Sequence, residues 1–400
     1  MTTHPGPLDG LKIIDISTVV AGPFAAGLLG DYGADVIKVE MPGAGDSLRA
    51  LAPHKDGAPL WWKVTNRNKR GITLDLRQGD GRALFAMLVK DADVLVENFR
   101  PGTLDGWGIT RDWLHGLNPR LTILRLTGFG QDGPYAGRPG FARIFEAMSG
   151  FTQICGEEDG RPLHLGYPIS DAVAGLFGAL GILAALHDLA KDPARRGQEI
   201  DCSATEAMLR TLEFLAIEYD QLGTVRTRSG NRSQYAAPGN VYRTADGKWA
   251  SIAASTQSIF VRLCTALDLG TLVADERFAT NPNRVRNREA LDGIVGAAIG
   301  RLTLAELGET LTRHEVGFSP IYDIADVFAD PQMKAREAIV RVPDSELGTV
   351  RMQGVVPRFS ETPGSVHRAG PTLGEHSDEV YGGLGLTAAE IADLRARKVI

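Results

Sequence analysis

The chain has 400 residues, 43% hydrophobic and 23% charged, with 49 acidic against 43 basic side chains and a formal net charge of −6. That length suggests two domains or one with an insertion, and the apolar content is enough for a large core. The mild acidity and the lack of any Lys/Arg run exclude a nucleic-acid surface. Three scattered cysteines, Cys155, Cys202 and Cys264, offer neither zinc spacing nor a disulfide framework and fit a reducing cytoplasm.

The opening MTTHPGPLDG is neither a signal nor a transit peptide. Strands and helices then alternate. LKIIDIS (residues 11–17) reads as a strand, GPFAAGLLGDYG as a helix, ADVIKVE (34–40) as a strand and GITLDL (71–76) as a third. GRALFAMLVKDA (81–92) has apolar residues at helical spacing, and DVLVENF (93–99) and LTILRLTGFG (121–130) are two more strands. Such alternation predicts βαβ units and a mostly parallel sheet. A long helix is expected over 171–189, a strand at GQEIDCSA and a second long helix over 205–223. TVRTRSGNRSQYAAPGN then reads as a polar loop, and residues 241–255 as a hairpin turning at Asp246 and Gly247. Helices follow to about residue 315, then strand and loop, then a terminal helix. The expected boundaries are 1–204 for the first part of a large domain, 205–225 for a linker helix, 226–325 for a small domain and 326–400 for a returning segment.

The most apolar run, 172–186, has fifteen residues. A bilayer span needs about 20, so a buried helix is expected and no membrane. Asp171 stands at the head of this run. As a helix cap, its oxygen accepts orphan backbone N–H groups beside the positive end of the dipole. As a nucleophile, it stays ionised there, and the same donors stabilise an oxyanion when it attacks a thioester. Gly175, Gly178 and Gly181 allow close packing that fixes the helix rigidly.

The G-x-G-x-x-G fingerprint of dinucleotide-binding sheets is missing: DISTVVAGPFAAGLLG offers Gly22, Gly27 and Gly30 at the wrong spacing. Nor is there a P-loop, a G-x-S-x-G elbow or an H-E-x-x-H motif. Of eight histidines, only His164 lies near Asp171 in sequence, and a lone loop histidine is usually a surface or packing residue.

Several blocks occur together: LDGLKIIDIS with VVAGPFAAGLLGDYGADVIKVE, then GDSLR, NRNKRGITLDL, DVLVENFRPG, GFGQDGPYAGRPGF, EAMSG, the Asp171 helix and GPTLGEHSDEVYGGLGL. In this order they resemble the class III CoA-transferases, the CaiB/BaiF family, over nearly the whole chain. The resemblance implies an α/β protein: a Rossmann-like large domain with a parallel sheet built from both chain ends, a small inserted α+β domain, and an interlocked homodimer. It implies CoA transfer from an acyl-CoA donor to a carboxylic acid acceptor through mixed-anhydride and aspartyl-CoA thioester intermediates. No cofactor is permanently bound; CoA is substrate, and no metal is expected. Asp171 matches the catalytic aspartate. CoA contacts carry over to Val19, Ala21, Leu74, Arg77, Asn98, Phe99 and Arg100.

The same resemblance includes racemases that use a histidine in a GHD-like motif, where this chain has Phe141 and Ala142. Phenylalanine cannot shuttle a proton, so transfer is favoured over the alternative of 2-methylacyl-CoA racemisation. An intact aspartate argues against a further alternative, an inactive acyl-CoA binding protein. Arg226, Arg228 and Arg232 form either a solvated linker or an arginine fork for the second carboxylate of an acid such as succinate; Arg143 is a second candidate.

Overall fold

The computed structural model describes residues 6–400. They form two compact units: residues up to 152, 164–222 and 332–400 in the first, and 153–163 with 223–331 in the second.

The first unit is built on β1 (Lys12–Asp15), β2 (Asp35–Glu40), β3 (Lys69–Thr73), β4 (Val94–Glu97), β5 (Thr122–Thr127) and β6 (Glu199–Ser203). All pair in parallel in the order β3-β2-β1-β4-β5-β6. That is the order of a doubly wound Rossmann sheet, which reverses direction between β1 and β4. Because side chains alternate across a strand, neighbouring residues enter opposite cores. Ile14, Leu95 and Ile123 join one apolar cluster, and Ile13, Val94, Val96 and Leu124 the other. Both faces are covered, which explains why these strands read as unbroken apolar runs.

Among the helices of this unit are α1 (Ala21–Gly30), α2 (Leu60–Thr65), α3 (Gly79–Lys90), α4 (Ala142–Met148), α5 (Ile169–Leu189), α6 (Ala204–Thr211) and α7 (Phe214–Leu222). The single helix expected over 205–223 is two: Glu213 takes φ +29°, and Leu215 N–H bonds to Leu212 O across the break. The return segment contributes a hairpin, β7 (Ile339–Asp344) with β8 (Gly348–Gln353), and α8 (Ser377–Gly383) and α9 (Ala388–Ala396).

The expectation of a sheet built from both chain ends is overturned: every strand of the parallel sheet lies between residues 12 and 203. GPTLGEHSDEV instead closes the β3 edge by side-chain and irregular backbone contacts. Pro371, with no N–H to offer a ladder, accepts from the Trp62 indole at 2.7 Å and from Arg49 at 3.0 Å. His376 brackets Gly71, donating its backbone N–H to Gly71 O at 2.8 Å and accepting Gly71 N–H on Nδ1 at 3.1 Å.

The helix over 171–189 is also longer and less buried than expected. It spans 21 residues, enough by length and composition to cross a membrane, yet only 39% of its apolar window is buried. Its glycine edge is packed: Gly175 meets Phe24 and Ala21 of α1, Gly178 meets Leu124 of β5, and Gly181 meets Ile200 of β6. The opposite edge carries Leu176, Leu180 and Leu183, which are 54%, 60% and 41% exposed.

The second unit has a three-stranded antiparallel sheet in the order Phe318–Pro320, Trp249–Ala253, Gly239–Arg243. Its central hairpin turns at Asp246 and Gly247, and helices bring Phe260, Leu263, Leu291, Val295, Leu307 and Leu311 into one core. Residues 153–163 leave the first unit to join it.

Candidate active site

The carboxyl ends of β1 and β4 flank the point where strand order reverses, the place where open α/β sheets bind ligands. The loops after these strands are locked together. Asn98 accepts Thr18 N–H at 2.7 Å and donates to Thr18 O at 2.7 Å. Val19 is held at φ +65°, a left-handed conformation costly for a β-branched residue. Asp46 stabilises it by accepting Val19 N–H at 3.0 and 3.2 Å.

A buried ion lattice stands behind Asp46. Lys38 lies 3.4 Å from Asp46 and 3.7 Å from Asp15, and Lys69 lies 2.8 Å from Asp15. Burial alone would raise the Asp15 pKa, but Lys38 and Lys69 hold it below its ordinary value. Burial pulls Lys69 down to about 8. Arg49 forks Glu40 at 2.7 Å through two nitrogens and lies 3.7 Å over the Trp62 ring. The GDSLR block is therefore a brace for the loop after β1.

The site residues expected from sequence fall as follows. Val19 and Ala21 lie on the β1–α1 connection, with Ala21 as the first residue of α1. Leu74 and Phe99, with Ile16, Thr18, Leu76 and Trp107, line a cavity of about 160 Å³ at these strand ends. Arg77 reaches back to Asp75 at 2.8 and 2.9 Å, and that pairing, outweighing burial, draws Asp75 down to about 2. Arg100 is exposed. Arg143 is exposed in the first turn of α4. Arg232 belongs to the second unit, 3.6 Å from Asp292 and 3.8 Å from Glu158. Arg228 donates to the carbonyls of Gly160 at 2.9 Å and Gln153 at 3.0 Å, and Arg226 to Gln234. The arginines of the expected fork are thus engaged within their own unit.

Asp171 is not the helix cap. α5 begins at Ile169, Pro168 occupies the cap position, and no side chain caps the helix. Asp171 sits in the first turn, half-buried, with its carboxylate free of hydrogen bonds to any described residue. The expectation that it stays firmly ionised is also corrected. Burial first, and the Glu146 carboxylate second, push it up to about 7. Tyr167 stands beside it, with its phenol raised by burial and by Asp171, and packs on Trp61 at 6.4 Å. Val20, Phe24, Trp61, Val64 and Tyr167 wall an adjoining cavity of about 480 Å³. Phe141, at the place of the racemase histidine, exposes its ring at the start of α4. Among the described residues, no three His, Cys, Asp or Glu side chains converge as a metal site.

Sequence reasoning passed over Glu146. It is fully buried, with Oε2 3.1 Å from His164 Nδ1. The available signal was a lone acid between Phe145 and Met148 in a short apolar helix, a place that demands a partner. His164, read as a surface or packing residue, is that partner.

A doubly wound sheet with a ligand crevice at its reversal point, and a carboxylate without a hydrogen bond at the head of an apolar helix, define an α/β protein built to bind a ligand at its strand ends. Residues 8–377 match the family model CoA-transferase family III, and the chain belongs to that family. It is 42% identical to succinyl-CoA–D-citramalate CoA-transferase of Chloroflexus aurantiacus, over 99% of this chain and 98% of that protein. It is 37% identical to succinate–glutarate CoA-transferase of Agrobacterium fabrum, over 95% and 96%. A crystal structure of a CaiB/BaiF family protein from Brucella suis superposes with a TM-score of 0.85 at 36% identity, covering 95% of this chain and all of that one. The protein is an enzyme, a class III CoA-transferase.

Proposed function

We propose that this enzyme moves CoA from a succinyl-CoA-like donor to a dicarboxylic acid, with Asp171 as nucleophile. The observation that carries this is the unpaired carboxylate at the head of α5. The names of the two relatives, both transferases that act on dicarboxylic acids, supply the substrate class.

Asp171 attacks the thioester carbonyl, the C–S bond breaks, and a mixed anhydride forms. The thiolate then attacks the aspartyl carbonyl and releases the donor acid, leaving an aspartyl-CoA thioester. The acceptor carboxylate attacks that thioester to form a second anhydride, which the returning thiolate opens at the acceptor's carbonyl. The energy of the thioester is conserved, so no ATP is consumed. Half-burial of Asp171 keeps water from the activated carbonyl. The Val19–Ala21 backbone and the walls formed by Leu74 and Phe99 receive CoA, Asn98 fixes the loop that meets it, and Arg77 and Arg100 serve its phosphates.

Arg143 takes the second carboxylate of the acid, from the turn of α4 that is joined to the head of α5. Arg143→Leu is expected to raise KM for dicarboxylates about tenfold, the loss of one charge-assisted contact, and to leave monocarboxylates unchanged. The test is a panel of di- and monocarboxylates offered with succinyl-CoA, with the CoA esters read by mass spectrometry. Transfer confined to monocarboxylates refutes the dicarboxylate reading. Deuterium uptake at the α-carbon in heavy water without any transfer would favour racemisation.

The working form is a homodimer, interlocked as in the family. Leu176, Leu180, Ile217, Leu222, Ile144 and Met148 expose large apolar side chains on α5, α7 and α4, more than scattered surface residues account for. A second copy is their cover. Sedimentation at twice the 42.9 kDa chain mass is the expected result, and a monomer at assay concentration would refute it. Three cysteines with no disulfide suit the cytoplasm.

A further inference from the structure

The first turns of α4 and α5 are stapled together: the Ser170 hydroxyl donates to Ala142 O at 3.0 Å. Glu146 lies one turn beyond Ala142 on the same face of α4, and Asp171 one residue beyond Ser170. Glu146 is fully buried. Its Oε2 faces His164 Nδ1, which Thr152 Oγ1 approaches at 3.4 Å, and its Oε1 has no hydrogen-bond partner. A buried carboxylate oxygen without a donor is rare and calls for an explanation. The other groups around Asp171 are few. Tyr167 precedes it, α1 carries no charged side chain along Ala21–Gly30, and on α6 Glu206 and Arg210 are exposed.

We propose that Glu146, oriented by His164, is the proton-holding partner of Asp171: it accepts the proton Asp171 sheds to become a nucleophile and lends it to the departing CoA thiolate. This rests on Asp171 being the nucleophile. Like charges resist joint ionisation, and Glu146 is the like charge that acts on Asp171. Burial first, and the Glu146 carboxylate second, raise the Asp171 pKa.

The steps balance. The proton passes from Asp171 to Glu146 Oε1, leaving an aspartate anion and a neutral glutamic acid. The anion forms its bond to the thioester carbonyl carbon, the C–S bond breaks, and the electron pair leaves on sulfur. The proton moves from Glu146 to that sulfur, giving free thiol and a glutamate anion that Nδ1–H of His164 stabilises. When the thiol attacks the aspartyl carbonyl, its proton returns to Glu146, and the donor acid departs as carboxylate. No outside acid or base is consumed.

The test reads ionisation and turnover separately. Carbodiimide labels protonated carboxyls, so labelling of Asp171 in the full chain, followed by peptide mass across the neutral range, needs no substrate. In Glu146→Gln the labelling midpoint is expected to fall by about one pH unit, because the like charge is gone. In steady-state transfer the same variant is expected to lose about 10²-fold in kcat with KM for acyl-CoA nearly unchanged, and Glu146→Asp to recover about tenfold of it. An unmoved midpoint, or Glu146→Gln turning over at close to the wild-type rate, overturns the proposal. Transfer that survives in Asp171→Ala would instead refute the nucleophile, while the labelling result would still report whether Glu146 raises the Asp171 pKa.

Discussion

Asp171→Ala is expected to reduce CoA transfer by a factor on the order of 10⁴, the scale seen when a covalent nucleophile is removed, with CoA affinity nearly unchanged. CoA affinity persists because the residues proposed to hold CoA lie on the loops after β1, β3 and β4, none of which depends on Asp171. Wild-type enzyme mixed with acyl-CoA is expected to show an adduct of CoA mass that hydroxylamine releases, and the variant none. Equal activity in the variant would refute the mechanism.

The aspartate also has a pH signature. Its folded pKa of about 7 lies above the ordinary 3.8, so between those values the folded chain binds more protons at this site than the unfolded chain. Its contribution to stability therefore falls as pH rises through that window, and it ionises fully only above 7. Adduct formation is accordingly expected to rise through neutrality. Asp171→Ala is expected to melt no lower than wild type at alkaline pH, since it removes a half-buried charge rather than a partner.

Gly175→Val is expected to cost about 1–3 kcal/mol of stability, the usual price of overpacking. A Cβ there would lie 2.8 Å from Phe24 Cδ1 and 2.9 Å from Ala21 O. Phe24 can turn aside; the Ala21 carbonyl belongs to the first turn of α1 and moves only if α1 and α5 part. That parting displaces Asp171, one turn before Gly175, from the loop proposed to receive CoA. A misplacement of about 1 Å costs on the order of 10²-fold in rate. A lower melting temperature together with a lower kcat is the expected pair of results. Gly116→Ala, where a Cβ meets nothing within 4 Å, serves as control. A Gly175→Val enzyme with wild-type kcat would mean that the α1–α5 contact does not set the geometry of the site.

Much of this was legible along the chain. The six strands of the parallel sheet lie within or beside runs that read as β-branched and apolar, and the glycines of α5 read correctly as a packing edge. Asp171 stood out because a lone acid heads an apolar helix. Glu146 did not, because 25 residues separate it from Asp171 and its own helix is too short to show a pattern. The apolar stripe of Leu176, Leu180 and Leu183 read as core, because hydropathy does not distinguish a face covered by the same fold from one left open.

The amino-acid order by itself determined the element types, the parallel character of the sheet, the missing dinucleotide fingerprint and the aspartate proposed as nucleophile. These depend on periodicity and local residue chemistry, which operate over a few residues. Only the tertiary structure decided the strand order that puts the crevice between β1 and β4, and the closing of the β3 edge by Pro371 and His376 from the far end of the chain. It alone decided the charge state of Asp171, because ionisation answers to burial and to the nearest charge. Here the charge that acts is Glu146, which bears on Asp171 only once Ser170 of α5 has bonded to Ala142 of α4.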